Sequence, residues 1–237
     1  MPSFSLGNFS GTLAEEDGMQ KKMRESARSM ESEMDSDEVA FLKDLLAENN
    51  LKGTHVEIGT AAGGTLCAMM RSFGTRKCPK FVVVDPMTYF PDQLDVVRKN
   101  LQVHELDSND VDFRVVKSNE ALQKAQSMGE SFDFILIDAA HKIRHVMHDL
   151  KWAELLNSGG LLCLHDYCDA HKGVVWAVDR FLRKNPHFVV EKLVNRLIVL
   201  RKSSSREVRV STWDSCWAAF WSLWLQWEVS LRKRLYP

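Results

Sequence analysis

The sequence predicts an α/β fold: a doubly wound, mostly parallel seven-stranded sheet, closed by a C-terminal antiparallel hairpin and followed by an appended C-terminal helix. Three observations predict it. Short apolar runs alternate with helical patterns over residues 35–202, the order that builds parallel sheets through crossover helices. Two runs, FVVV at 81–84 and FILI at 134–137, are apolar at every position, as strands covered on both faces are. The pattern opens with a strand, a glycine turn and a helix, HVEIGTAAGGTL at 55–66.

The elements follow in order. Residues 1–34 mix Ser, Met, Gly and charge with weak periodicity and read as an N-terminal arm, with helical tendency near 19–30. Asp35 and Glu38 have the spacing of a capping box, and Val39, Phe41, Leu42, Leu45 and Leu46 make one helical apolar face. The first strand and glycine turn come next, with a helix to about Phe73. A second strand at 81–84 ends in Asp85-Pro86, a helix covers 92–103, and a third strand covers 113–116. After a short helix at 120–127, the fourth strand, 134–137, ends in Asp138. A long helix is expected over 142–156, closed by Asn157, Ser158, Gly159 and Gly160. The fifth strand, 161–164, ends in His165, Asp166 and Tyr167. A helix over 173–184 stops at Asn185-Pro186, and strands at 187–193 and 196–201 turn at Val194-Asn195. The division expected is an arm at 1–34, a ligand-binding domain at 35–202, and a linker with a tryptophan-rich amphipathic helix at 203–237.

Composition narrows the function. With 237 residues, 45% hydrophobic and 27% charged, the chain can bury one sizeable core. Its formal net charge of -1 provides no global field to recruit nucleic acid, so no nucleic-acid partner is expected. Five scattered cysteines with no C-x-x-C pair read as reduced thiols, and no apolar stretch near the start reads as a secretory signal. Both suit a cytoplasmic protein.

The glycine turn selects its ligand. A dinucleotide fingerprint is G-x-G-x-x-G, whereas this turn is E-x-G-x-x-x-G-G, from Glu57 through Gly59 to Gly63 and Gly64. A carboxylate two residues before the first glycine would repel a pyrophosphate but accept from an ammonium group. The helix start beyond it offers unpaired N–H groups. In sheets of this kind ligands lie beyond the carboxyl ends of the strands. Asp85, Asp138 and Asp166 stand at three such ends, with Glu57 at a fourth, and a core gains nothing from carboxylates there.

The turn pattern, together with IDAAH at 137–141, SGG at 158–160, HDY at 165–167 and the GVVWAVDRFL helix at 173–182, resembles the class I S-adenosylmethionine-dependent methyltransferases. It is similar in particular to the small-molecule O-methyltransferases of sugars and natural products, over residues 35–202. The resemblance implies a Rossmann-like methyltransferase fold, S-adenosyl-L-methionine as cofactor, and a small-molecule acceptor methylated on a hydroxyl. It implies that Glu57, Gly59, Thr60, Ala61, Gly63, Gly64 and Thr65 hold the methionine end and backbone of the cofactor, with Asp138 beside it. Asp85 would take the ribose hydroxyls, against the alternative of a helix cap before Pro86, and Ser118 and Asn119 the adenine. His141 would be the base and Asp138 its catalytic neighbour, with Asp138 and Asp166 holding Mg2+. The chain departs from that pattern at the metal: His165-Asp166-Tyr167 stands where the sugar enzymes have Asp-Asp and the catechol-type enzymes Asp-Asn. His145 and His148 read as surface or packing residues.

Two other readings compete. One is a nucleotide-binding oxidoreductase, against which stand the turn spacing and the terminal hairpin. The other is a non-catalytic membrane-associated or scaffolding protein that keeps the fold and uses its tail. That tail carries five of the seven tryptophans, Trp213, Trp217, Trp221, Trp224 and Trp227, followed by Arg232, Lys233 and Arg234. Packing on its own domain or homo-oligomerisation ranks ahead of peripheral membrane contact.

Overall fold

The structure is a computed structural model that describes residues 31–235, with side chains described to residue 225. The helical tendency expected near 19–30, and the side chains of Trp227, Arg232, Lys233 and Arg234, lie outside the described residues. The elements are α1 (Ser36–Glu48), β1 (His55–Ile58), α2 (Gly64–Arg71), β2 (Phe81–Val84), α3 (Gln93–Val103), β3 (Val111–Arg114), α4 (Ser118–Ser127), β4 (Phe132–Ile137), α5 (Ile143–Asp149), β5 (Leu156–Leu164), α6 (Lys172–Lys184), β6 (Phe188–Val194), β7 (Leu197–Lys202) and α7 (Thr212–Leu235).

The seven strands form one sheet in the order β3-β2-β1-β4-β5-β7-β6, and β7 runs antiparallel to both β5 and β6. The first five are parallel, and every residue of β1 and β2 is buried; β2 is apolar throughout, while β1 also buries His55 and Glu57. Alternate side chains feed two cores. Val56, Ile58, Ile135 and Ile137 face α4, α5, α6 and α7, while Val83, Phe134 and Leu136 face α1, α2 and α3.

The parallel register positions the site. Ile58 is paired with Val84 and with Ile137, and Ile137 with Leu164. The residues that follow, Gly59, Asp85, Asp138 and His165, therefore stand side by side along one edge. Glu57 lies two residues before Gly59, inside β1, and Asp166 one beyond His165, so neither acid stands in the edge row itself.

Three segments differ from expectation. The long helix over 142–156 breaks at Asp149; a 3-10 turn, Leu150–Leu155, follows, and β5 begins at Leu156. Asn157, Ser158, Gly159 and Gly160 do not close a helix but carry a register shift within β5, where Gly159 takes φ +84°. The third strand lies two residues earlier than its apolar run suggests.

The tail packs on its own domain, one of the two arrangements ranked first. The linker expected after residue 203 is pinned: Val208 is buried, and Asn185 accepts from Arg209 N (2.6 Å) while donating to Arg209 O (3.3 Å). Helix α7 packs on α5 and α6 through the buried Ala218 and the partly buried Trp217, Trp221 and Leu225. Trp221 meets Trp176 of α6 edge-on at 5.3 Å, and Arg180 lies over the Trp217 ring at 4.4 Å. Asp214, buried at the helix start, accepts from Arg180 (2.7 Å) and Lys184 (2.5 Å). The tryptophans do not share one buried face, since Trp213 remains exposed with Phe220 and Leu223. No described helix is long and apolar enough to cross a membrane.

Candidate active site

The glycine turn joins β1 to α2. Gly59 takes φ +84°, and a Cβ there would lie 2.1 Å from Asp138 O; only glycine lets the ends of β1 and β4 approach so closely. Asp85 braces the turn from β2, its carboxylate accepting from Thr60 N (3.1 Å) and Met87 N (2.6 Å). Ser32, ahead of α1, crosses the start of α2 and bonds Thr65 Oγ1 at 2.6 Å. Beneath the turn, Glu57 is 1% exposed and its Oε2 has no partner in the protein. Burial raises its carboxyl to about 8. An ammonium group lying on the turn would satisfy that oxygen and restore the ionised form, so the residues present fit the amino-acid end of S-adenosylmethionine.

On the other side of Asp138 stands a cluster of imidazoles and carboxylates. His165, next to Asp138 along the sheet edge, has Nδ1 3.2 Å from Asp138 Oδ1 and 3.4 Å from Asp166 Oδ2. Its Nε2 lies 3.0 Å from Oε2 of the fully buried Glu38 on α1. Burial would lower the His165 pKa, but the hydrogen bonds to Asp138 and Asp166 outweigh it and push it up to about 10. Asp166, in a left-handed conformation at φ +59°, binds His141 Nε2 at 2.7 Å and the Arg196 guanidinium at 2.9 Å. Burial favours its neutral form, yet His141 and His165 hold the carboxyl well below the usual range.

His141 sits on the loop between β4 and α5. Gly173, at the start of α6, lets this loop lie flat, because a Cβ there would meet His141 O at 2.5 Å. His171 lies tilted beside His141, ring centroids 4.4 Å apart. The hydrogen bond to Asp166, opposed by partial burial, raises the His141 pKa above its ordinary value.

Both halves open into one cleft of about 1320 Å³, lined by Glu57, the glycine turn, Asp85, Ser118, Asn119, Asp138, His141 and Asp166. Single ligand pockets usually run to about 300–1,000 Å³, so this cleft has room for two ligands side by side. Every expected site residue except Gly63 lines it; Gly63 instead caps α2 at φ +83°. The Ser118 hydroxyl is used within the protein, accepting from Trp152 Nε1 at 2.9 Å and bonding the buried Asp149, whose carboxyl burial raises to about 6. Sequence reasoning missed Arg196 and the second role of Glu38. Glu38 does form the expected capping box, and its other contacts come from strands more than 120 residues away, beyond any local signal.

Mg2+ demands oxygen ligands in near-octahedral geometry. Here the carboxylates expected to supply them, Asp138 and Asp166, face the nitrogens of His165, His141 and Arg196. The donor set does not fit that ion.

Residues 56–167 match the family model described as a methyltransferase domain. A curated relative, an uncharacterized protein of Acanthamoeba polyphaga mimivirus, is 25% identical over 118 residues, covering 49% of this chain and 52% of the relative. The chain thus spans about half the length of the curated relative it matches. Among solved structures, the O-methyltransferase from Bacillus cereus in complex with SAH superposes with a TM-score of 0.59 at 19% identity, over 78% of this chain and 91% of that one. The O-methyltransferase from Streptomyces achromogenes involved in tomaymycin synthesis, in complex with SAM, gives 0.58 at 14% identity, over 78% and 89%. At such identities the likeness is one of fold. Matched segment and superposition agree on the fold, and over residues 56–167 the chain is similar to methyltransferase domains.

Proposed function

We propose that the chain transfers the methyl group of S-adenosylmethionine to a hydroxyl of a small molecule, with His141 as the base. The observation that carries this reading is the two-ended cleft, with the unpartnered Glu57 oxygen under the glycine turn at one end and the His141–Asp166 pair at the other. The cofactor, when bound, supplies an electrophilic methyl group on a sulfonium; everything else falls to the chain. Glu57 accepts from the ammonium group, and the glycine turn admits the cofactor against bare backbone. Asp85 has lone pairs beyond those used by Thr60 N and Met87 N, and these accept from the ribose hydroxyls. Asp166 fixes His141 by accepting a hydrogen bond from Nε2–H, which leaves Nδ1 as the basic nitrogen of the neutral ring. A hydroxyl bonded to Nδ1 loses its proton as its oxygen attacks, and the imidazolium that forms is stabilised by Asp166.

Calorimetric titration with S-adenosylhomocysteine and with NAD tests the reading at its base. Binding of the first and not the second is expected, followed by transfer of a labelled methyl group to members of a panel of hydroxylated small molecules. Binding of NAD alone would overturn the proposal in favour of an oxidoreductase.

Asp85→Ala gives a second expectation. Charge-assisted hydrogen bonds are worth about 1.5–3 kcal/mol. Affinity for S-adenosylhomocysteine should therefore fall about tenfold to a hundredfold by calorimetry. Unchanged affinity would remove Asp85 from the site.

A further inference from the structure

Glu38, Asp138 and Asp166 bring three carboxylates to one end of the sheet, an arrangement that ordinarily asks for a bound cation. In this chain protein nitrogens already meet them. Both ring nitrogens of His165 lie within hydrogen-bond reach of carboxylate oxygens: Nε2 at 3.0 Å from Glu38 Oε2, Nδ1 at 3.2 Å from Asp138 Oδ1. Ionised carboxylates only accept, so a ring that bonds them at both nitrogens carries both protons and a positive charge. The Glu38 oxygens have further donors, Oε1 from Arg196 N at 2.7 Å and Oε2 from Asp35 N at 2.9 Å, which fits its ionised form. The oxygens of Asp166 are divided between the Arg196 guanidinium at 2.9 Å and His141 at 2.7 Å. Three carboxylates therefore meet two fixed cations, His165 and Arg196, with His141 as a third group able to take a proton. Mg2+, which takes oxygen ligands, would have to displace the Arg196 guanidinium or an imidazole from Asp166, and His165 from Asp138 Oδ1.

We propose that His165 and Arg196 form a built-in cation at the position where Mg2+ would otherwise sit, so that the domain works without bound Mg2+. His165 is 4% exposed and wedged between α1 and the ends of β4 and β5; it is a positioning residue, neutralising Asp138 and holding Asp166 where Asp166 aims His141. The catalytic meaning of this inference rests on the methyl-transfer reading, but its test does not, because metal binding is measured without turnover.

The full-length chain is purified without chelator, its metal content is measured by mass spectrometry, and Mg2+ is titrated by calorimetry in the presence of S-adenosylhomocysteine. The wild type should contain no stoichiometric Mg2+ and bind none. His165→Asp, which exchanges the fixed cation for a fourth carboxylate, should gain Mg2+ binding. His165→Asn, which removes the charge without adding an acid, is measured alongside and should gain weaker binding, so the question is decided even if the aspartate variant does not fold. Stoichiometric Mg2+ on the wild type, lost in Asp138→Asn, would overturn the proposal, as would folded His165 variants that still bind no Mg2+.

Discussion

A chain cut after residue 204 is expected to lose cooperative folding. The removed segment contributes the buried Val208 and Ala218, the indoles of Trp217 and Trp221, and Leu225, all packed against the core on the α5–α6 side. Two indoles at ~150 Å2 each and ~25 cal/mol per Å2 represent about 7.5 kcal/mol as an upper bound. A whole domain is stable by only about 5–15 kcal/mol. The cut also deletes Asp214, which burial would make less acidic but which Lys184, Ser211 and Arg180 hold well below the usual carboxylate range. Circular dichroism melting of residues 1–204 should show no sharp transition, or one far below that of the full chain. A cooperative melt within a few degrees of the full chain would show the tail to be dispensable.

Replacing His141 with Ala should lower kcat by about 10²–10⁴-fold, the usual contribution of a positioned base. Affinity for S-adenosylhomocysteine should be unchanged, because His141 lies at the far end of the cleft from Glu57. The pH profile carries a separate signature. The hydrogen bond to Asp166 raises the His141 pKa above 6.5, so the basic form is depleted at low pH. In the wild type kcat should therefore rise as pH climbs through a value above 6.5 and then level off. Asp166→Asn removes the negative charge that favours the imidazolium, and the inflection should move down. An inflection that stays in place in that variant, or an alanine variant at full rate, would remove His141 as the base.

The sheet was legible because its physics is local. Val82 to Val84 and Ile135 to Ile137 are apolar on both faces, and glycines and prolines mark where the strands end. Much of the cleft was legible for the same reason: Gly59, Asp85, Asp138 and His141 lie at or just past strand ends, where a side chain has little to do in a core. The helix after Lys142 was read too long because Leu150 to Leu156 keep an apolar pattern that helix and extended chain share, and the register shift against β4 is a tertiary event. The tail was legible as a helix that packs on its own domain or a partner, but not as to which face is covered. Counting tryptophans gives their spacing but not the face that α5 and α6 offer them, and Trp176 on α6 is what recruits Trp221. Glu38 and Arg196 were out of reach altogether, since each has a sufficient local explanation, one in a cap and the other in a hairpin.

The hydrogen bond from Arg196 N to Glu38 joins residues 158 positions apart, and that from His165 to Glu38 residues 127 apart. Contacts of such separation carry the largest loop-closure cost and form late. On a ribosome the glycine turn, Asp85, Asp138 and His141 all emerge before the hairpin that brings Arg196. Synthesis can thus complete the end of the cleft that meets the cofactor well before Asp166 acquires the partner that sets its orientation. Competence for chemistry is in this sense a timed event, waiting on the last two strands.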